Sequence, residues 1–149
     1  MADKLQFELV SPEKLLLSEQ VALVVIPGSE GNFGVLPGHT LLISTVRPGV
    51  IEVYEGNTVT ERIFVSGGFA EVTPERCTVL ADEAAPVVSL DRAEIEVQIK
   101  SAESTVAALK EQSARMTGAD RDEALVRLGA AERQLAVAVA KLAAIGAVH

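Results

Sequence analysis

The first part of the chain alternates apolar and polar residues in short runs that are separated by turn-forming residues. From Leu5 to Leu9 it reads L-Q-F-E-L, the pattern of a strand with one buried face. Comparable runs follow at 14–17, 20–26, 41–46, 50–54, 58–65, 69–72 and 77–81. Short strands with a turn signal about every 8–12 residues are typical of a β-sandwich or a β-barrel.

The pattern changes near Pro86, after which proline is absent and apolar residues recur at helical spacing. The first helical stripe lies within residues 90–116 and consists of Ile95, Ile99, Ala102, Val106 and Leu109. The second begins near Asp120 and consists of Leu125, Leu128, Leu135, Leu142 and Ile145. Thr117-Gly118 separates the stripes, and glycine commonly ends a helix. The pattern predicts two helices of roughly 25 residues each that form an antiparallel hairpin.

We therefore predict an α+β protein with a β domain over residues 1–86 and an α-helical hairpin over residues 87–149. Hydrophobic residues make up 48% of the chain but aromatic residues only 3%, so the core must be built from aliphatic side chains. The formal net charge is −8, and most of it lies in the β domain. This charge argues against nucleic acid as a partner, because phosphate binding requires clustered Lys and Arg.

The single cysteine, Cys77, excludes an internal disulfide and is expected to be a small buried residue of a strand. The first residues lead directly into a strand, so we expect no signal segment. No apolar run approaches the roughly 20 residues of a membrane span. Association with a membrane would therefore go through a protein partner, without direct insertion into lipid.

The sequence contains no recognisable catalytic motif. Its two histidines are His39 and the terminal His149, and no Cys/His spacing suits zinc. No G-x-S-x-G motif is present. We expect no catalytic residue, metal site or cofactor, and interpret the chain as a non-enzymatic binding or assembly subunit.

The segment 27–39, P-G-S-E-G-N-F-G-V-L-P-G-H, is the most constrained loop of the β domain. Glycine supplies positive φ and proline fixes φ, which predicts two tight turns joined by a short strand. The absence of a Gly-Lys-Ser/Thr ending argues against a phosphate-binding loop. We expect Asn32 and Phe33 to be exposed at the tip, where an apolar ring favours a partner surface, with a place for Phe33 in the core as the alternative. Glu30 and His39 could form a turn-bracing pair or, less favoured, an acid–base pair.

Several segments resemble the epsilon subunit of bacterial F-type ATP synthases, which is called delta in mitochondria. They are the loop at 27–39, L-L-I-S-T-V-R-P-G-V at 41–50, V-S-G-G-F-A-E-V at 65–72 and T-V-L-A-D at 78–82. The resemblance implies a sandwich of about ten strands followed by two helices. It also implies a non-catalytic central-stalk rotor subunit on the cytoplasmic side of the bacterial inner membrane. In this family the sandwich binds gamma, its loop end rests on the c-ring, and the hairpin of some members reaches the alpha/beta head and inhibits ATP hydrolysis.

The resemblance places Glu30, Asn32, Phe33 and His39 at or near the c-ring. The family loop commonly reads E-G-E-L-G, whereas this chain has E-G-N-F-G. Asn32 therefore lacks the negative charge of the family's glutamate, which puts one ionic contact with the c-ring in doubt. Members that bind ATP carry L-D-x-x-R-A at the start of the first helix. Here Leu90 and Asp91 are retained but Glu94 takes the arginine position, so we expect little or no nucleotide binding.

Two other functions remain compatible with the residue pattern alone. One is a cytosolic adaptor that binds a partner helix and belongs to no membrane machine. The other is a small-ligand-binding regulatory protein. Copurification with a long coiled-coil protein and a proteolipid ring would distinguish a rotor subunit from both.

Overall fold

The computed structural model describes residues 4–146, which form ten strands and two long helices. The strands are β1 Leu5–Val10, β2 Leu15–Val21, β3 Leu23–Gly28, β4 Gly31–Val35, β5 Leu42–Val46, β6 Gly49–Glu55, β7 Thr58–Val65, β8 Gly68–Val72, β9 Arg76–Ala81 and β10 Ala84–Pro86. A 3₁₀ turn at Val87–Ser89 precedes helices α1, Arg92–Arg115, and α2, Gly118–Gly146. The chain divides into two compact units between Ser89 and Leu90.

The strands form two facing sheets with the orders β10-β7-β6-β3-β4 and β5-β8-β9-β1-β2. Strand β3 joins the sheets because Gly28 also pairs with Val46 of β5. All pairings are antiparallel except β1 with β9. This architecture confirms the predicted sandwich of about ten strands followed by a two-helix hairpin.

Alternate residues of both sheets fill one core. The largest fully buried side chains include Phe7 and Leu5 of β1 and Ile51 of β6. Cys77 of β9 is also fully buried, as expected, and burial raises the pKa of its thiol to about 12. Apart from Phe7 and Cys77, the core cluster of the sandwich consists of aliphatic side chains.

The predicted strand at 20–26 is wrong, because the structure divides this apolar run between two strands of different sheets. Strand β2 ends at Val21 and β3 begins at Leu23. The backbone N–H of Ala22 leaves the β2 pairing and donates to Tyr54 O of β6, 3.2 Å away. The chain thus crosses between sheets at Ala22 without a glycine or proline to mark the bend.

The glycines before β8 allow very close strand packing. Gly68 has φ +141°, and a Cβ at this residue would lie 1.9 Å from Leu80 O of β9. No side chain fits in that space, which explains why the S-G-G segment contains glycine here.

Asp91 is the N-cap of helix α1. The Asp91 carboxylate accepts hydrogen bonds from the backbone N–H groups of Ala93 and Glu94, at 3.0 and 3.3 Å. Gly118, with φ +63°, begins α2 after a short connection. No helix within residues 4–146 is both long and apolar enough to cross a membrane.

The buried stripe of α2 differs from the predicted one. Its fully buried positions are alanines, whereas Leu125 is 42% exposed and Leu128 is half-buried. The buried alanines are Ala124, Ala131, Ala138 and Ala144. Their small side chains permit close approach of a neighbouring helix, so the predicted leucines flank the contact instead of forming its centre.

Candidate partner-binding surfaces

A tight turn joins strands β3 and β4 at one end of the sandwich. Gly28 and Gly31 are cross-strand partners, so only Ser29 and Glu30 lie between the paired residues. Gly31 has φ +132°, which favours glycine. A second turn is closed by a 3.1 Å hydrogen bond from His39 N to Leu36 O. The predicted pair of turns joined by a short strand, β4, is present.

Arg47 holds the first turn from one side. Its guanidinium donates one hydrogen bond to the carbonyl oxygen of Gly28 and another to Asn32 Oδ1, which lies 2.6 Å away. Its backbone N–H donates to Pro27 O, 2.9 Å away. No ion pair of Arg47 occurs within residues 4–146. Arg47 therefore ties both strands of the tip together while its charge meets only neutral acceptors.

The four predicted c-ring residues occupy different environments. Glu30 and Asn32 are exposed at the first turn, and His39 is half-buried at the second. His39 Nδ1 lies 2.6 Å from Thr40 O, and no hydrogen bond or ion pair joins His39 to Glu30 in the described structure. Neither the turn-bracing pair nor the acid–base pair is formed.

Phe33 corrects the expectation of an exposed aromatic tip. Its ring is half-buried and packs against the sandwich core. The ring lies directly over Gly28, where an added Cβ would come within 2.9 Å of it. Phe33 therefore supports the turn from the inside, and Glu30 is the more accessible side chain.

The sequence did not reveal an exposed apolar row on the outer face of the sheet β5-β8-β9-β1-β2. Phe69 pairs with Leu80, Leu80 with Val10, and Val10 with Leu15, so the four side chains cross four strands in one line. Phe69, Leu80 and Leu15 are 58%, 53% and 55% exposed. We call Phe69, Leu80, Val10 and Leu15 the apolar row.

Polar residues border the apolar row. The next line across the same face contains Glu71, Thr78 and Glu8, together with the exposed Ile43 of β5, and Glu8 forms an ion pair with Arg76 over a distance of 2.9 Å. Directly opposed residues share one face of a sheet, so these charges lie beside the row. An apolar centre with a charged border is typical of a protein-binding surface.

A sequence signal for the apolar row exists but is weak. In a half-solvated strand, alternate positions are polar, yet β9 has adjacent Val79 and Leu80 and β1 has adjacent Leu9 and Val10. Two adjacent apolar residues in a strand place one apolar side chain on the outer face. Such side chains on two strands form one exposed patch only if the strands pair in the right register, which the sequence does not give.

The residues of the degenerate nucleotide motif serve a structural role at the start of α1. The Asp91 carboxylate is engaged in the N-cap, and Glu94 lies in the first turn. On α2, Arg127 lies 3.6 Å from Glu123. Within residues 4–146 no group of three or more His, Cys, Asp or Glu side chains could hold a metal ion, and His149 lies outside the described residues.

Residues 4–87 match the family model of the ATP synthase delta/epsilon chain, β-sandwich domain. The chain belongs to this family. The ATP synthase epsilon chain of Paramagnetospirillum magneticum is 48% identical over 94% of this chain and 100% of its own length. The epsilon chain of Rhodospirillum rubrum is 51% identical over 83% of this chain and 90% of its own length. The epsilon chain of Rhodospirillum centenum is 64% identical over 66% of this chain and 71% of its own length.

The fold of this delta/epsilon chain also occurs in an assembled machine. A chain in the cryo-EM structure of the Euglena gracilis mitochondrial ATP synthase, OSCP/F1/c-ring in rotational state 1, matches with a TM-score of 0.72 and 26% identity. The match covers 97% of this chain and 83% of that chain. The similarity therefore includes both the sandwich and the hairpin.

Proposed function

We propose that this chain is a non-catalytic central-stalk subunit of a proton-translocating F-type ATP synthase, coupling c-ring rotation to the catalytic head through gamma. The observation that carries the proposal is the match to an ATP synthase epsilon chain over that relative's entire length. The alternatives of an unrelated adaptor and of a small-ligand regulator receive no support from the relatives. The subunit would lie at the cytoplasmic side of a bacterial inner membrane and be held there by protein contacts.

The apolar row is the surface that we assign to gamma. Four strands spaced about 4.8 Å apart give the row a length of roughly 15 Å, enough to accept an apolar face of a partner. Burying Phe69 or Leu80 would contribute about 1.5–3 kcal/mol each. Both side chains point away from the core, so they can be replaced without opening a cavity.

Binding of purified gamma to the full chain tests this assignment. Phe69→Ser combined with Leu80→Ser should weaken binding at least about tenfold, because two apolar anchors are lost. Val97→Ser combined with Val126→Ser removes two exposed apolar side chains outside the row, is the matched control and should bind as the unaltered chain does. Unchanged affinity of the double variant, with unchanged circular dichroism, would contradict the assignment.

The tip of the β3–β4 turn is the surface that we assign to the c-ring. Glu30 is exposed, and no hydrogen bond or ion pair of its side chain occurs in the described part of the chain. Asn32 is engaged by Arg47, and the half-buried Phe33 and His39 shape the turns from behind. Glu30 would thus make the polar contact with the ring, and the other three residues would position it.

Crosslinking in the assembled enzyme tests this placement. Glu30→Cys and Asn32→Cys should crosslink to polar loops of the ring. Asn57→Cys lies in the β6–β7 turn at the opposite end of the sheet and should not. Equal crosslinking from residue 57, or crosslinks from residue 30 only to the catalytic head, would exclude the tip as the ring contact.

We propose that the hairpin binds ATP weakly or not at all. The carboxylate of Asp91 is used by the N-cap, and Glu94 adds a second negative charge to the first turn, which would repel a triphosphate. Arg127 is beside Glu123, and its charge is partly offset. Calorimetry on the isolated chain should detect no micromolar binding of ATP; micromolar binding that Arg127→Gln abolishes would contradict the proposal and locate the site.

We further propose that residues 1–86 suffice for coupling and that the hairpin braces the subunit more than it inhibits hydrolysis. The last turn of α2 within the described residues carries no base to meet acidic parts of the alpha/beta head. ATP hydrolysis by the assembled enzyme should change little when residues 87–149 are removed. A several-fold rise would identify the hairpin as an inhibitor.

A further inference from the structure

The sandwich carries a positive charge at its β3–β4 tip that the described chain does not neutralise. Three basic residues of the sandwich form ion pairs with glutamates, namely Lys4, Arg62 and Arg76. The other two, Lys14 and Arg47, have no ion pair within residues 4–146. Arg47 therefore keeps its charge in the domain that holds most of the chain's net charge of −8.

The guanidinium of Arg47 is held in place, unlike the ammonium group of Lys14, for which the described structure contains no hydrogen bond. One terminal nitrogen of Arg47 donates to Gly28 O and the other donates to Asn32 Oδ1. A guanidinium carries more N–H donors than these two bonds use. Because Arg47 is also exposed, its remaining N–H groups are available to a partner while the turn stays supported.

The residues around Arg47 hold its guanidinium without cancelling its charge. Both acceptors are neutral, one being a carbonyl oxygen and the other an amide oxygen. Glu30 lies between Gly28 and Asn32 in the chain, yet no ion pair joins its carboxylate to Arg47 within residues 4–146. The tip thus presents one negative and one positive charge on separate exposed side chains.

A carboxylate is the partner group that fits the free N–H groups of Arg47. The planar guanidinium matches the two oxygens of a carboxylate or of a phosphate, and such charge-assisted hydrogen bonds are stronger than neutral ones. The tip is assigned to a protein surface, the polar loops of the c-ring. The acidic group there would be the side chain of an aspartate or a glutamate.

We propose that Arg47 binds an acidic side chain of the c-ring's polar loop while its bonds to Gly28 and Asn32 keep the turn in place. This inference rests on the proposed contact between the tip and the ring, and it adds to Glu30 a second contact of opposite charge. The ring loop would then offer a donor to Glu30 and a carboxylate to Arg47. Two contacts of opposite sign fix the orientation of the loop, because a reversed loop would bring like charges together.

Binding of the full chain to ATP synthase depleted of this subunit tests the proposal. Arg47→Gln should weaken binding about tenfold, because a hydrogen-bonded charge pair is lost. The dissociation constant of this variant should also depend less on salt concentration, since salt screens exposed ion pairs. If Arg47 only shaped the turn, its loss would lower the affinity and leave the salt dependence unchanged.

Arg121→Gln is the matched control for the loss of one positive charge. Arg121 lies in α2, is exposed and has no ion pair within the described residues. Its substitution should alter neither the affinity nor the salt dependence. An equal effect of Arg121→Gln and Arg47→Gln would assign the change to overall charge and overturn the proposal.

Asn32→Asp offsets the charge of Arg47 without removing the arginine. The carboxylate can accept the hydrogen bond that Asn32 Oδ1 accepts, so the turn keeps its support while Arg47 gains an ion pair inside the chain. Less charge is then available to a partner, and binding should weaken several-fold with a reduced salt dependence. Unchanged affinity of Asn32→Asp, or unchanged salt dependence of Arg47→Gln, would overturn the proposal.

Crosslinking from Glu30→Cys separates this proposal from the placement of the tip on the ring. If Glu30→Cys reaches the ring but Arg47→Gln binds as the unaltered chain does, only the role of Arg47 is overturned. If Glu30→Cys does not reach the ring, the placement and the role of Arg47 both fail. Sedimentation of the full chain with vesicles of an anionic phospholipid, if Arg47→Gln abolished it, would assign the charge to lipid phosphate and also overturn the proposal.

Discussion

The sandwich and the hairpin are both built on apolar patterns, but they bury different kinds of side chain. The sandwich encloses Phe7, Leu5 and Ile51 completely. The hairpin buries Ile95 and Val106 on α1, whereas the buried positions of α2 are all alanines. Large buried side chains contribute more free energy than alanines, so the sandwich is the stable body and the hairpin is the marginal one.

The apolar residues that remain exposed differ in the same way. On the sandwich, Phe69, Leu80 and Leu15 belong to a line across adjacent strands, the apolar row, and further exposed apolar side chains lie outside it at Leu36, Leu41 and Ile43. On the hairpin they include Val97, Val126 and Val139 on separate parts of the two helices. Exposed apolar surface that is contiguous indicates a partner, whereas scattered apolar residues need no partner to explain them.

The largest expected effect is the destabilisation of the sandwich by a substitution at Gly68, which should leave the hairpin unchanged. Gly68→Ala would place a Cβ 1.9 Å from Leu80 O and would also disfavour φ +141°, so we expect a loss of more than about 3 kcal/mol in unfolding free energy. Chemical denaturation with a probe in each unit measures it. Gly56→Ala, at a positive φ with open space around it, is the control and should cost about 1 kcal/mol. A smaller loss for residue 68 than for residue 56 would contradict this account.

A second change should loosen the hairpin while leaving the sandwich intact. Ala131→Leu enlarges a buried small position of α2, and overpacking there should cost about 1–3 kcal/mol. Hydrogen exchange would show faster opening of α1 and α2 with no change in the strands. Ala130→Leu alters the exposed neighbour by the same atoms and should have almost no effect. Equal effects at both positions would argue against close packing at Ala131.

The smallest expected effect is at the start of α1. Asp91→Ala removes the acceptor of two backbone N–H groups and should cost about 0.5–2 kcal/mol of local helix stability. Faster amide exchange at Ala93 and Glu94 is the measurement. Asp91→Asn keeps a side-chain oxygen at the cap and should remain close to the unaltered chain. If both variants behave alike, the cap oxygen is not what begins the helix.

Much of the fold could be predicted because alternation and helical spacing are local properties of the sequence. The runs at 58–65 and 69–72 were recognised at or near their observed limits. The run at 20–26 was predicted as one strand because no turn-forming residue marks the bend at Ala22 that divides it into β2 and β3. The buried stripe of α2 was misassigned because leucines and alanines both recur at helical spacing along this helix. The spacing alone does not tell which of the two sets is buried.

The proposed binding surfaces were less predictable because they depend on pairing between distant strands. The apolar row exists only once Phe69, Leu80 and Val10 are brought into register. The engagement of Asn32 by Arg47 joins residues fifteen positions apart in sequence. The half-buried position of Phe33 follows from its packing over Gly28, which spacing alone does not specify.

The hydrogen bonds of Arg47 have a consequence for the proposed contact between the tip and the rotating c-ring. A loop that becomes ordered only on contact loses conformational entropy each time it binds. Here the turn that presents Glu30 is already fixed by bonds to Gly28 and Asn32 from within the chain. In the proposed contact with the c-ring, the tip would meet its partner already in the shape that binding requires, so each contact could form or break without the loop first having to fold.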